Sequence, residues 1–333
     1  MTKRTNLLLL SLFILSSFVK GQNHWENPSI FEINKEEARA SFTPFESVEK
    51  ALNDNISQSE FIKCLNGLWK FNYVNKASQR PLDFYRTSYD ISKWESIRVP
   101  ANWEMHGYGY AQYISAGYPF KIKPRYIHDD YSPVGSYVTF FELPSIWFDR
   151  EVFIYLGAVK SGFDIWVNDH KVGYSQDSKL PSEFNITKYL KPGNNKLSVQ
   201  VFQFTDGSYL EDQDFWRLSG IQRDVLLLAR PKTYIRDFFV KAGLDTKYEN
   251  GTFHLELEIA NKNKKSTSAE IQYILINEEQ KEILKGKAPI KTKSNKIAKQ
   301  HFEANIPNVK KMVCRNTQLI HLITDPKRWD KGN

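Results

Sequence analysis

The sequence predicts an all-β protein built from two antiparallel sandwiches, and two observations carry that expectation. From Gly67 to about Pro231 the chain is a series of short β-rich runs broken by turn residues, with no long amphipathic helical pattern. After Pro231 a clean period of two appears, with Phe253, Leu255, Leu257 and Ile259 on one face and His254, Glu256 and Glu258 on the other. Such alternation fits half-buried strands whose polar face meets water, and many short strands at this spacing fit sandwiches.

In the first part the runs are Leu68 to Tyr73, Gly135 to Phe141, Val152 to Leu156, Phe163 to Val167 and Leu197 to Val201. Asn168-Asp169 and Pro192-Gly193-Asn194 supply turn chemistry between them. A second, immunoglobulin-like sandwich is expected to begin near Lys232. At 333 residues with 41% hydrophobic content, the chain can bury two cores. Its net charge of +8 falls entirely after position 231, where 20 Lys and Arg face 12 Asp and Glu. That excess is a lysine scatter without the interleaved aromatics of a strand-binding groove, so a solvated sheet face is expected and no nucleic acid.

At the start, Lys3 and Arg4 precede an apolar run from Leu7 to Val19, with small Gly21 before Gln22. This reads as a secretory signal over residues 1–21, too short for the ~20 apolar residues of a membrane span. A secreted or periplasmic chain beginning at Gln22 is expected, with no membrane association once the leader is removed. Cys64 and Cys314 stand 250 residues apart, and no structural disulfide is expected between them.

The most informative stretch runs from Thr205 to Asp224 and holds Asp206, Glu211, Asp212 and Asp214 within nine residues. Carboxylates so close must be paired, metal-bound or solvated, and composition leaves three readings open: a structural loop, a binding site or a metal site. The ligand alternation and mid-loop glycine of an EF-hand are absent. Glu211, Asp212 and Asp214 are expected to form an ion-pair lattice with Arg217 and Arg223. Trp103, Trp166 and Trp216 could stack on a sugar, although sandwich cores bury such rings routinely. His106 is one of seven scattered histidines without metal-ligand spacing.

This acidic run resembles the β-galactosidases of glycoside hydrolase family 2. Further similar segments are Trp25 to Pro28, Leu65 to Phe71, Val99 to Tyr108, Ser132 to Tyr137 and Ser175 to Phe184, and the resemblance extends from about Trp25 to Lys311. It implies an N-terminal extended segment over 22–60, a jelly-roll, galactose-binding-like domain over 61–231, and the immunoglobulin-like sandwich over 232–311. It also implies that Asn102 and Asp206 reach the galactose. An amide both donates and accepts, and a carboxylate can take two hydroxyls at once, so both residue types can read ring hydroxyls. Asp206 is further implied as one ligand of a sodium site. The family uses magnesium and sodium ions whose other ligands stand in its catalytic barrel. Alone, Asn102 after a proline also reads as a turn residue.

Retaining glycosidases place two carboxyls about 5 to 5.5 Å apart. The family carries them on a (β/α)8 barrel of about 250 residues, whereas 22 residues follow Lys311. No catalytic residue is therefore assigned. From Met312 to Ile323 the resemblance stops, yet permissible codons for that stretch, read one base later, give Trp-Ser-Ala-Glu-Thr-Pro-Asn-Leu-Tyr-Thr-Leu, the segment the family would continue with. Residues 312–333 are accordingly expected to be an out-of-frame tail that leaves the second sandwich with an open edge. Three functions follow: a β-galactosidase by descent that is inactive alone, a stand-alone carbohydrate-binding protein, or a fragment that complements a barrel-bearing partner chain.

Overall fold

The computed structural model describes residues 23–309 except 54, 212 and 278, together with the backbone of 320–321. The leader, Asp212, Cys314 and nearly all of the tail lie outside the described residues. In chain order the strands of the first part are β1 (Glu32–Ile33), β2 (Ile62–Cys64), β3 (Gly67–Val74), β4 (Glu95–Val99), β5 (Gln112–Ile114), β6 (Val134–Glu142), β7 (Glu151–Leu156), β8 (Val159–Lys160), β9 (Gly162–Val167), β10 (His170–Ser175), β11 (Ser182–Asn185), β12 (Asn194–Phe202), β13 (Phe215–Arg217), β14 (Gly220–Ile221) and β15 (Val225–Arg230). They form a seven-stranded sheet ordered β1-β10-β9-β12-β6-β3-β4 that faces a four-stranded sheet ordered β11-β7-β15-β2. Every pairing in these two sheets is antiparallel.

Between the sheets, Trp69 and Phe71 of β3, Ile165 and Val167 of β9, and Leu197, Val199 and Val201 of β12 meet Ile154 and Leu156 of β7 and Val225 and Leu227 of β15. The large sheet is covered on its other face too. Trp25 stacks on Phe202 at 4.5 Å, and Phe84 packs edge-on against Trp166 at 5.5 Å. For that reason β9 is buried at all six positions, including Asp164, whose carboxylate is met by His24 and Lys171.

The second sandwich holds β16 (Thr233–Leu244), β17 (Gly251–Asn261), β18 (Thr267–Ile276), β19 (Glu282–Thr292), β20 (Lys296–Ile306) and β21 (Ile320–His321). Its sheets are ordered β16-β17-β20 and β19-β18-β21. The alternation read in the sequence is realised, since Phe253, Leu255, Leu257 and Ile259 are core residues that pack against Ile271, Tyr273 and Leu275. β18 meets the backbone of Ile320 and His321 through Leu275 and Ile274. That part of its edge is therefore paired, where the sequence suggested an open one.

Where the two sandwiches adjoin, Glu183 of β11 takes a bidentate Arg230 at 2.7 and 2.7 Å and a third guanidinium bond from Arg39 at 2.6 Å. Arg230 also lies over Phe153 at 4.3 Å. The segment carrying Arg39 continues onto the second sandwich, where the Ala40 N–H donates to Asp237 at 2.7 Å. Burial pushes the Glu183 carboxyl up, but the two arginines outweigh it and hold the group below its ordinary range. A lowered folded value means stability that is present above the ordinary carboxylate pKa and lost as pH falls through the folded one. Glu183→Ala strands two guanidinium groups and is expected to cost about 3–5 kcal/mol near neutral pH, with a smaller loss in acid. Urea unfolding at pH 7 and pH 4 measures both, and a loss within ~0.5 kcal/mol at pH 7, the scatter of neutral surface changes, would sink the assignment.

Candidate functional site

Asn102 leads a 3₁₀ turn, Trp103–His106, that Gly107 closes in the left-handed region at φ 87°. Trp103 anchors the turn by full burial, 5.8 Å from the Tyr73 ring and 6.4 Å from Phe71. The backbone of this segment is bonded to the strand that follows the acidic run. Ala101 N–H donates to the Ile221 carbonyl at 2.8 Å, and Trp103 N–H to the Ser219 carbonyl at 3.1 Å. Between those two carbonyls sits Gly220 at φ 120°, where a Cβ would stand 2.7 Å from the Ala101 carbonyl oxygen. Only glycine permits that approach. Glu104 returns the contact by accepting the Ser219 N–H with both carboxylate oxygens, at 3.0 and 2.9 Å. Gln222 donates to Asn102 Oδ1 at 2.8 Å and to the Leu218 carbonyl at 2.9 Å.

Asp206 opens a second 3₁₀ turn, Asp206–Tyr209, capped reciprocally by Thr205 and Ser208. Ser161 lies within 2.9 Å of the Thr205 hydroxyl and 3.2 Å of Ser208. The Asp206 residue is 7% exposed. Its Oδ1 accepts from Gln176 at 2.6 Å and from the Gly207 N–H at 2.9 Å, while Oδ2 is buried with no partner among the described residues. Burial raises this carboxyl above its ordinary value, against the bonds from Gln176 and Gly207. Asn102 and Asp206 share no hydrogen bond. Their two segments meet at Glu104, to which Gln203 donates at 3.4 Å from just past the strand that precedes Asp206.

The rest of the acidic run pairs back onto the loop that follows Asn102. β13 and β5 form a two-stranded ribbon in the register Phe215 with Ile114, Trp216 with Tyr113 and Arg217 with Gln112. Trp216 and Tyr113 lie opposite one another, 54% and 53% exposed, with ring centroids 5.5 Å apart. The Tyr113 hydroxyl donates to Asp214 Oδ1 at 2.6 Å. Of the three tryptophans singled out in the sequence, Trp103 and Trp166 are buried and only Trp216 is free to stack. Sequence reasoning passed over Tyr113, because nothing local marks a residue whose partner stands 101 positions later.

Of the expected ion-pair lattice, Asp212 lies outside the described residues. Glu211 accepts from the Ser178 N–H at 3.0 Å and from its hydroxyl at 2.6 Å, and Asp214 accepts from Tyr113. Arg217 donates to the backbone carbonyl of Glu211 at 2.7 Å. Hydroxyls and N–H groups reach these carboxylates because the ribbon turns Glu211 toward Ser178 and Asp214 toward β5.

With this geometry established, residues 62–231 match the family model for the glycosyl hydrolases family 2 sugar binding domain. The chain belongs to glycosyl hydrolase family 2. It is 41% identical over 246 residues to a beta-galactosidase of Priestia megaterium, covering 72% of this chain and 24% of that protein. A beta-galactosidase of Clostridium acetobutylicum is 41% identical over 239 residues, covering 70% and 26%. The chain thus spans about a quarter of the length of these relatives. Among solved structures, a calcium-binding mutant of Bacteroides uniformis beta-glucuronidase 2 superposes with a TM-score of 0.64 at 21% identity, covering 78% of this chain and 29% of that one, a likeness of fold.

Within this family 2 domain, a polar cluster lies beneath the two turns. Burial lifts Glu104 to about 7, against the Ser219 bonds and the charge of Lys160. Tyr73, Tyr131 and Tyr137 each feel the Glu104 charge and are themselves raised by burial. Because the folded pKa of Glu104 is raised, its contribution to stability is complete below the ordinary carboxyl value and is lost as pH rises through about 7. Glu104→Gln keeps an acceptor for Ser219 and removes the charge. It is expected to stabilise the chain by about 1 kcal/mol at pH 8, after discounting for partial solvation, and by nothing at pH 4. Thermal unfolding at the two pH values tests this, and a pH-independent difference would contradict it.

Proposed function

We propose that the chain is the sugar-binding portion of a hydrolase of terminal β-D-galactosides, and that the exposed ribbon carries its contact with the sugar. The observation behind this reading is the Tyr113–Trp216 pair beside Asp214. Aromatic faces take the apolar face of a pyranose, and a carboxylate oxygen takes its hydroxyls. Tyr113 occupies Asp214 Oδ1, which fixes the group and leaves Oδ2 for a ligand. Asn102 and Asp206 enter this reading with the atoms their internal bonds leave over, Nδ2 of the amide and Oδ2 of the carboxylate.

That unpaired, buried Asp206 Oδ2 also suits one ligand position for a sodium ion. Among the described residues no group of three or more His, Cys, Asp or Glu stands together to hold a metal, so further ligands would come from elsewhere in a longer polypeptide or from a barrel-bearing partner chain. Hydrolysis with retention needs two carboxyls about 5 to 5.5 Å apart, which this reading assigns to that same remainder. The Lys3, Arg4 and Leu7–Val19 pattern supports export to the periplasm or the exterior.

Titration of the chain with methyl β-D-galactoside, followed by ligand-observed NMR, tests the reading. Asp214→Asn and Trp216→Ala are each expected to weaken binding about tenfold, the loss of a charged hydrogen bond or a stacking face. Asn102→Ala and Asp206→Asn are expected to weaken it less. Wild-type affinity in both ribbon variants would move the sugar off the ribbon, and no binding by the wild-type chain would overturn the reading altogether.

A further inference from the structure

Phe215 turns away from Trp216 on the ribbon and collects three cations around one ring. Lys160 Nζ lies 4.2 Å from its centroid, Arg217 Cζ 4.7 Å and Lys179 Nζ 5.7 Å. Two of these are otherwise engaged, Arg217 with the Glu211 carbonyl and exposed Lys179 with Gln222 Oε1 at 2.9 Å. Lys160 is different. The residue is 4% exposed, and its Nζ is buried without a hydrogen-bond acceptor among the described residues. The carboxylate of Glu211, which would be its natural partner, is turned to Ser178. An ammonium stripped of water loses more than a ring face returns to it. Desolvation is the largest influence on this ammonium; the charges of Glu211 and Glu104 favour it and those of Lys179 and Arg217 oppose it, yet none of them gives Nζ a hydrogen-bond acceptor among the described residues.

We propose that this pocket beneath the ribbon binds an oxyanion, a sulfate or carboxylate group, with Lys160 Nζ as the buried donor and exposed Lys179 at the entrance. The group arrives either as a free anion or as a substituent on a saccharide. Phe215 alternates with Trp216 along β13 and so faces the opposite side of the ribbon from the neutral sugar-stacking pair. The inference therefore stands without the galactoside reading.

Thermal unfolding of the whole chain tests it in two pairs: sodium sulfate against sodium chloride of equal ionic strength, and galactose 6-sulfate against galactose. Binding is expected to raise the midpoint by about 2–4 °C in at least one oxyanion arm. Sulfate also stabilises proteins by exclusion from their surface, so Lys160→Met serves as the baseline from which a specific increment is read. Lys179→Gln is expected to lower the increment by about half, and should Lys160→Met not fold, this variant decides with the pH profile. The increment is expected to fade as pH rises through about 8, to which burial has lowered the Lys160 ammonium. A larger shift with galactose 6-sulfate supports a saccharide substituent, and an equal or larger one with inorganic sulfate supports a free anion. The proposal is overturned if neither arm exceeds its control, or if the increment is the same in wild type and both variants.

Discussion

Two backbone hydrogen bonds set the geometry of the candidate site, those from Ala101 to Ile221 and from Trp103 to Ser219. They join the end of an outer strand of the large sheet to a strand more than a hundred residues later, and they require the chain to pass Gly220 at a distance no side chain tolerates. Once that contact closes, Asn102 faces Gln222 and Glu104 faces Ser219. The residues between Asp206 and Gly220 must then loop out and return, and the ribbon of β5 and β13 is the form that excursion takes. A hydrophobic core without this approach would leave the acidic run with no fixed place.

The fold was legible where burial is one-sided. The period-two pattern around Phe253 became a strand with that face inward, because water lies on the other side. β9 and β12 read as strands for a different reason, as short β-rich runs bounded by turn residues, and the sequence did not show that both faces of their sheet would be covered. The site was less legible. Asn102 was correctly seen to have a turn-like setting, and the structure gives it the lead position of a 3₁₀ turn. For Trp216 composition could not separate a core ring from an exposed one, since that difference depends on a pairing with Tyr113 across 103 residues. Glu211 and Asp214 likewise take partners far off in sequence, Ser178 and Tyr113.

The junction between the sandwiches obeys a different economy. Glu183 is buried with two guanidinium groups whose donors occupy both of its oxygens. Arg39 comes from the N-terminal segment, which also bonds Asp237 on the second sandwich through Ala40. That segment thus ties β11, the end of β15 and β16 together. A neutral apolar junction could hold as well, but it would not select this alignment of three separate segments.

Beneath the turns the balance is less complete than at the junction. Glu104 and Lys160 are both desolvated, and burial moves their pKa values toward one another, to about 7 and about 8. At Glu183 opposite charges touch and burial is outweighed. Here the charges are held apart, Glu104 on Ser219 and Lys160 on the Phe215 ring, and burial dominates each. Asp206 follows the same rule, with one oxygen satisfied twice and the other without a partner among the described residues. A core designed only for stability would have paired or removed these groups. Their concentration under one end of the domain is a local cost in stability, set by burial without pairing.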